Sequence, residues 1–245
     1  MDVQSTDIIL LTPAGAMPAF WCRPTEAGQL PAVLLLMEAF GLTNHIRKVA
    51  RRLAKAGYGV LAPDLYYREG ANITFGYDQV DAAMATMGRL NLGQPIEDDL
   101  KAAIAHLKSR SEVDPDYIGV TGFCLGGGLT FLTACRFSAD IAAAAPFYGM
   151  VLDEWIEAVK DITVPMMLVF GGQDPFIGRD RVQQIEQRFR ELNRVYTLKL
   201  YPEADHGFFC DERSSYHPAA AEDAWQALTG FFQTWLRAES GNSVD

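Results

Sequence analysis

Residues 122–127 read Gly-Phe-Cys-Leu-Gly-Gly. They follow the apolar run Tyr117-Ile118-Gly119-Val120-Thr121 and precede a helix-like stretch that continues to residue 137. A strand that turns directly into a helix crowds the positions two before and two after the turn, and Gly122 and Gly126 are the residues that tolerate this. The turn lifts Cys124 to the end of the strand and aims a helix N-terminus at it. The unpaired N–H groups of such a terminus favour negative charge. This local geometry requires strands that feed helices, and so constrains the rest of the chain.

The remaining sequence fits that requirement. Apolar runs alternate with amphipathic stretches, which is the mark of βαβ units and a mostly parallel sheet. Runs at 8–12 and 20–23 flank Pro13-Ala14-Gly15 and predict an N-terminal hairpin. Strands are expected at 32–37, 58–62, 117–121, 141–147, 166–170 and 196–201. Helices are expected at 96–109, 125–137, near 153–159, at 178–192 and at 218–237. Another helix carries Ile46, Val49, Ala50 and Leu53 at i, i+3, i+4 and i+7, with Thr43 or Asn44 as its cap and Gly57 as its stop. On the last helix Trp225, Leu228, Phe231, Phe232 and Trp235 are expected to face the core. Residues 66–96 break the rhythm with glycines, scattered aromatics and a weak helical pattern around 80–90. They predict a lid or pocket wall.

The expected fold class is α/β. A mostly parallel central sheet begins with an antiparallel hairpin, carries helices on both faces, and forms one domain over residues 1–245. The net charge of −10 argues against a nucleic-acid partner. No apolar run reaches the roughly 18 residues of a membrane span, and no basic and apolar leader opens the chain. The four cysteines, Cys22, Cys124, Cys135 and Cys210, show neither metal-ligand spacing nor dense disulfide usage, so a cytoplasmic setting with a free thiol is expected. No cofactor or metal is expected, and a monomer is the default reading.

A nucleophile needs a base, and the base needs an orienting acid. The strand Met166-Met167-Leu168-Val169-Phe170 ends in Gly171-Gly172-Gln173-Asp174-Pro175, which puts Asp174 at a strand end. A later strand is followed by Pro202-Glu203-Ala204-Asp205-His206-Gly207-Phe208, which puts His206 in a loop before the last helix. The order nucleophile, Asp, His is that of α/β-hydrolases, and Gly-x-nucleophile-x-Gly is their elbow, here with cysteine in place of serine. His45 and His106 fall on expected helices and His217 at the start of the last one. Cys22 and Cys135 read as small core side chains. Cys210 reads either as a pocket residue or as a structural one. Glu38 is an unexpected carboxylate at the end of an apolar strand, in the loop that commonly supplies an oxyanion-hole N–H.

Met37-Glu38-Ala39-Phe40-Gly41-Leu42, Ala62-Pro63-Asp64-Leu65-Tyr66, the elbow, Gly171-Gly172-Gln173-Asp174-Pro175 and His206-Gly207-Phe208 together resemble the dienelactone hydrolase (carboxymethylenebutenolidase) family, in order over roughly residues 8–237. The resemblance implies a hydrolase of small lactones or esters. Cys124 would be the nucleophile, His206 the base and Asp174 the group that fixes the imidazole. Glu38 would be an additional glutamate that contacts the resting thiol and helps take its proton. The backbone N–H groups of Leu125 and Ala39 would form the oxyanion hole.

The family's well-characterised members hold a substrate carboxylate with two arginines, one after the Asp-Leu-Tyr segment and one four residues after the histidine. Here the second position is Cys210. Arg68 or Arg89 could serve as the first, and Arg213 could reach the pocket by another path or pair with Asp211 or Glu212. Candidate substrate contacts are Phe40, Tyr66, Arg68, Tyr148, Phe208 and Arg213. Phe40, Tyr66, Phe147, Tyr148 and Phe208 would make an apolar pocket suited to a broader ester range. The alternatives are a carboxylesterase or thioesterase with the same site, a ligand-binding module of low turnover, and a redox protein in which Cys210 resolves Cys124.

Overall fold

A computed structural model describes residues 1–25, 28–70 and 72–237. The rest of the 1–245 span, including residue 71 of the 66–96 excursion, lies outside the described residues. The strands are β1 (Val3–Thr12), β2 (Gly15–Pro24), β3 (Leu30–Leu36), β4 (Gly59–Pro63), β5 (Val113–Phe123), β6 (Ala143–Phe147), β7 (Met166–Gly171) and β8 (Tyr196–Tyr201). They form one sheet in the order β1-β2-β4-β3-β5-β6-β7-β8. The hairpin β1–β2 closes at the Thr12–Gly15 pair, and β2 joins β4 antiparallel. Every later pairing is parallel. Parallel strands are covered on both faces, which is why β4, β6 and β7 are buried at every residue and read as unbroken apolar runs.

The helices are α1 (Asn44–Lys55), α2 (Val80–Met87), α3 (Gln94–Ser109), α4 (Leu125–Arg136), α5 (Asp153–Glu157), α6 (Arg179–Glu191) and α7 (Pro218–Trp235). α1 forms as its periodicity requires. Ile46, Val49, Ala50 and Leu53 are buried, Thr43 Oγ1 accepts the Ile46 N–H at 3.4 Å, and Gly57 leaves the helix at φ 105°. A β-carbon placed on Gly119 of β5 would meet Leu236 and Phe232 at the end of α7, whereas one on Gly122 would meet α4. An odd spacing along a strand points to opposite faces, so α7 and α4 cover opposite sides of the sheet. Among the described residues no helix is long and apolar enough to cross a membrane.

The apolar stripe expected on α7 is only partly in the core. Leu228 and Phe232 are buried with Ala220, Ala221 and Ala224, but Trp235 is 41% exposed. Leu236, one residue further on, makes the contact with Gly119, so the last-turn tryptophan is left outside. Trp225 is half-buried and carries the Arg52 guanidinium of α1 over its ring at 4.0 Å.

Residues between β4 and α3 are tied down at two places. Arg68 pairs with the buried carboxylate of Asp99 on α3, donating to Oδ2 and, at 2.8 Å, to Oδ1, while Tyr67 Oη donates to Oδ1 at 2.8 Å. Further along, Thr74 bridges to Gly41, and the Phe75 N–H donates to the Phe40 carbonyl at 2.9 Å. The part of the excursion that leads into α2 is therefore tied to α3 at residues 67–68 and to the loop after β3 at residues 74–75.

Two outcomes follow for stability. A β-carbon at Gly126 would lie 2.7 Å from the Met37 carbonyl oxygen and closer still to that of Leu36. Gly126→Ala should therefore lose at least about 2 kcal/mol in urea unfolding, since overpacking against backbone cannot relax. Arg68→Ala leaves Asp99 buried without its cation. It should lower the unfolding free energy by less than the roughly 3–5 kcal/mol of a broken buried pair, because Arg68 is itself partly exposed. Arg68→Ala/Asp99→Ala, which removes both charges, should recover part of that loss.

Candidate active site

Cys124 stands between β5 and α4 at φ 56°, ψ −114°, a region that a residue with a β-carbon rarely adopts. Its N–H donates to the Phe147 carbonyl at 3.1 Å, and its own carbonyl accepts from Gly128 at 3.1 Å. The flanking glycines are sterically required. A β-carbon on Gly122 would fall 2.5 Å from the Gly126 oxygen and 2.8 Å from Leu36 Cβ. The thiol is half-buried at the start of α4.

His206 lines the same cavity as Cys124 from the loop after β8, and Asp174 meets it from the loop after β7. His206 Nδ1 lies 2.8 Å from Asp174 Oδ2, and both side chains are buried. Asp174 Oδ1 accepts the N–H groups of Phe176 at 2.8 Å and Ile177 at 3.0 Å, which fixes the carboxylate. With Nδ1 committed to Asp174, Nε2 is the ring nitrogen left for another partner. Burial alone would weaken the hold of His206 on its proton. The hydrogen bonds to Asp174 and Cys124 and their negative charges outweigh it and push the imidazole up to about 10. The rings of Tyr148 and Phe176 pack edge-on against the imidazole at 5.2 and 5.1 Å.

Glu38 sits fully buried at the end of β3, in a tight turn closed by the Gly41 N–H on the Glu38 carbonyl at 3.0 Å. Its carboxylate faces Tyr77 and Arg213. Oε2 accepts from Tyr77 Oη at 3.1 Å, and Arg213 Nη1 lies 3.6 Å from Oε1. The Arg213 guanidinium also lies over the rings of Phe40 and Tyr77 at 5.4 and 5.9 Å. It crosses Gly207, where φ is 75° and a β-carbon would collide with the guanidinium. Asp211 and Glu212 take other partners, His45 at 3.5 Å and Lys48 at 2.6 Å. Among the described residues, no backbone carbonyl accepts from the N–H of Leu125 or of Ala39.

Behind this turn, ligand atoms of Glu38, His45 and Cys210 lie within 4.8 Å of one another. That is the arrangement of residue types that could hold a cation, but Arg213 is the cation this carboxylate already faces. Burial first, then the Glu38 charge, pushes the Cys210 thiol up to about 12. A protonated thiol is a poor partner for disulfide exchange.

A cavity of about 280 Å³ opens onto Cys124 and His206. Ala39, Leu125, Phe40 and Arg213 belong to its wall, but Tyr66, Arg68, Tyr148 and Phe208 do not. Each of the latter four has another site. Tyr66 is buried and donates its hydroxyl to the Ala39 carbonyl at 2.7 Å, so it orients the turn from behind. Arg68 is drawn to Asp99. Tyr148 and Phe208 are buried, ring against ring at 5.3 Å, with Tyr148 between Phe208 and His206. A larger, more polar depression of about 560 Å³ beside Asp7, Arg47 and Asp64 touches none of Cys124, Asp174 and His206.

Sequence reasoning missed Tyr77 as the partner of Glu38. The expected pocket wall within 66–96 is carried by α2, but its lining residues Met84 and Met87, and the facing wall of Leu129 on α4 and Trp155 on α5, were not singled out. The weak helical pattern at 80–90 was the available signal for α2.

The comparisons with known proteins agree with this geometry. The chain is 32% identical to a protein of Synechocystis named "Putative carboxymethylenebutenolidase", covering 97% of this chain and 99% of that one. An Escherichia coli K12 protein of the same name is 34% identical over 89% of this chain and 83% of its own. Among solved structures, a "Putative Dienelactone Hydrolase" from Klebsiella pneumoniae superposes with a TM-score of 0.88 at 30% identity, covering 96% of this chain and all of that one. The family model for the dienelactone hydrolase family matches residues 17–236. The turn at Cys124, the sheet that carries it and these likenesses over nearly the whole length lead to one conclusion: the chain belongs to the dienelactone hydrolase family, a family of hydrolases.

Proposed function

We propose that this chain hydrolyses small esters or lactones through an acyl-enzyme on Cys124, with His206 as base and Asp174 as its orienting acid. The observation that carries the reading is the 2.8 Å contact between His206 Nδ1 and Asp174 Oδ2, which leaves Nε2 to the thiol at the floor of the cavity. The net charge of −10 supports a small-molecule substrate over a nucleic acid. Residues 66–96, which carry one wall of the cavity on α2, serve as the pocket wall.

The chemistry proceeds in two halves. Transfer of the Cys124 proton to His206 gives thiolate and imidazolium, and the thiolate adds to the substrate carbonyl. The developing oxyanion is held by the N–H groups of Leu125 and Ala39, and the α4 N-terminus favours its charge. The imidazolium then protonates the leaving alkoxide as the C–O bond breaks, leaving a thioester. In the second half neutral His206 takes a proton from water, hydroxide adds to the thioester, and the acid departs as the thiol is regenerated. Glu38 is the further proton acceptor beside this site. Its hydrogen bond from Tyr77 and its ion pair with Arg213 support a second role, holding Arg213 across the cavity wall.

Cys124→Ala should lower kcat on a nitrophenyl ester by roughly 10⁴-fold or more while leaving the fold intact by circular dichroism; activity equal to wild type would overturn the assignment. The pH profile gives a second check. His206 is raised, so its proton persists as pH climbs and is lost as pH passes about 10. On an alkyl ester or lactone the alkaline limb of kcat/KM should therefore fall near pH 10, because the imidazolium is needed to protonate the leaving alkoxide. Asp174→Asn removes a stabilising charge, so the limb should move to lower pH and kcat should drop by about 10²–10⁴-fold. An unchanged limb in that variant would separate Asp174 from the imidazole.

A further inference from the structure

The cavity wall is almost wholly apolar, and the chain's own acids already hold the arginines that could bind a substrate carboxylate. α2 contributes Met84 and Met87, the segment after it Leu90 and Leu92, and α4 and α5 contribute Leu129 and Trp155 from the facing side. At the rim Val80, Met84, Met150 and Phe176 are 46%, 40%, 54% and 66% exposed. Large apolar side chains left in water around one opening mark a surface meant to be covered by an apolar group.

The charges point the same way. Arg68 is paired with Asp99, Arg89 with Glu69 at 2.6 Å, and Arg213 with Glu38 at 3.6 Å. Of these three, Arg213 alone lines the cavity. The formal charges of Cys124, His206, Asp174, Glu38 and Arg213 sum to one negative charge whether or not the thiol has passed its proton to the imidazole. A substrate carboxylate in this space would have to displace Glu38 from Arg213 or lie unpaired against apolar walls, and both are costly.

From this we infer that the substrate class is an uncharged ester or lactone bearing an extended alkyl or aryl group, and not an anionic lactone held by a carboxylate clamp. The inference rests on Cys124 being the nucleophile. The apolar group lies between α2 and the Leu129–Trp155 side, and the thioethers of Met84 and Met87 adapt to its length. A cavity of about 280 Å³ sits near the lower end of the roughly 300–1,000 Å³ of ligand pockets, so gains should end at medium chain length.

The test uses nitrophenyl esters of acetate, butyrate, hexanoate and octanoate, with the nitrophenyl monoester of adipate as the anionic match to hexanoate. For wild type, kcat/KM should rise about three- to fourfold per added methylene up to hexanoate, the factor that about 0.8 kcal/mol per buried CH₂ converts to. The hexanoate ester should exceed the adipate monoester by at least tenfold. Met84→Lys places a cation on the half-exposed rim, and Glu38→Gln releases Arg213, so each should raise the adipate-to-hexanoate ratio. Equal or faster turnover of adipate by wild type would overturn the inference while leaving the Cys124 chemistry standing. A ratio unmoved in both variants would also overturn it. Turnover that survives Cys124→Ala, or no turnover of any ester by wild type, would instead bring down the parent reading.

Discussion

A residue with a side chain held at φ 56° costs about 1–3 kcal/mol, and the elbow exists because its surroundings hold Cys124 there. Its N–H is claimed by the Phe147 carbonyl and its carbonyl by Gly128, so relaxing the torsion would break a bond on either side. Gly122 and Gly126 let α4 press against the end of β3, where a β-carbon at either site would strike backbone or Leu36. That close approach brings the turn carrying Glu38 and Ala39 beside the start of α4. The strain at one residue and the packing of strand against helix are thus two sides of the same arrangement.

Around the thiol the structure separates two buried acids by giving each its own basic partner. Asp174 faces His206, and Glu38 faces Arg213. Low polarity strengthens both pairings and makes an unpaired member expensive. Asp174 is further fixed by two backbone N–H groups and Glu38 by the Tyr77 hydroxyl. Each acid is therefore directed at its own partner.

The parts of this site that were legible in the sequence are those whose geometry is local. The elbow glycines, the strand-end positions of Glu38 and Asp174 and the loop position of His206 all follow from a few neighbouring residues. Arg213 was readable only as a candidate, because its reach depends on the chain turning back over Gly207 and on Phe40 and Tyr77 arriving from elsewhere. Tyr66 and Arg68 follow the same motif yet go to different partners, one to the Ala39 carbonyl and one to Asp99, some thirty residues away in either direction. Trp235 shares the spacing of the α7 core stripe and is nevertheless exposed, since periodicity gives the angle around a helix and not where its cover ends.

The division of labour between sheet and excursion follows from what each has committed to the core. The strands that lead to Cys124, Asp174 and Glu38 are buried on both faces over their last five or six residues, so a change there is felt by the packing of the whole sheet. α2 buries only Ala83 and Thr86, and its methionines face the cavity and solvent. It is held by ties outside itself, at Arg68–Asp99 and at the Gly41–Thr74 bridge. An element held by the segment that leads into it, and carrying little of the core, can alter its ligand-facing side chains at little cost to folding. Chemistry fixed by the sheet and a wall set by α2 is the arrangement in which substrate preference can depart from that of relatives while the elbow stays the same.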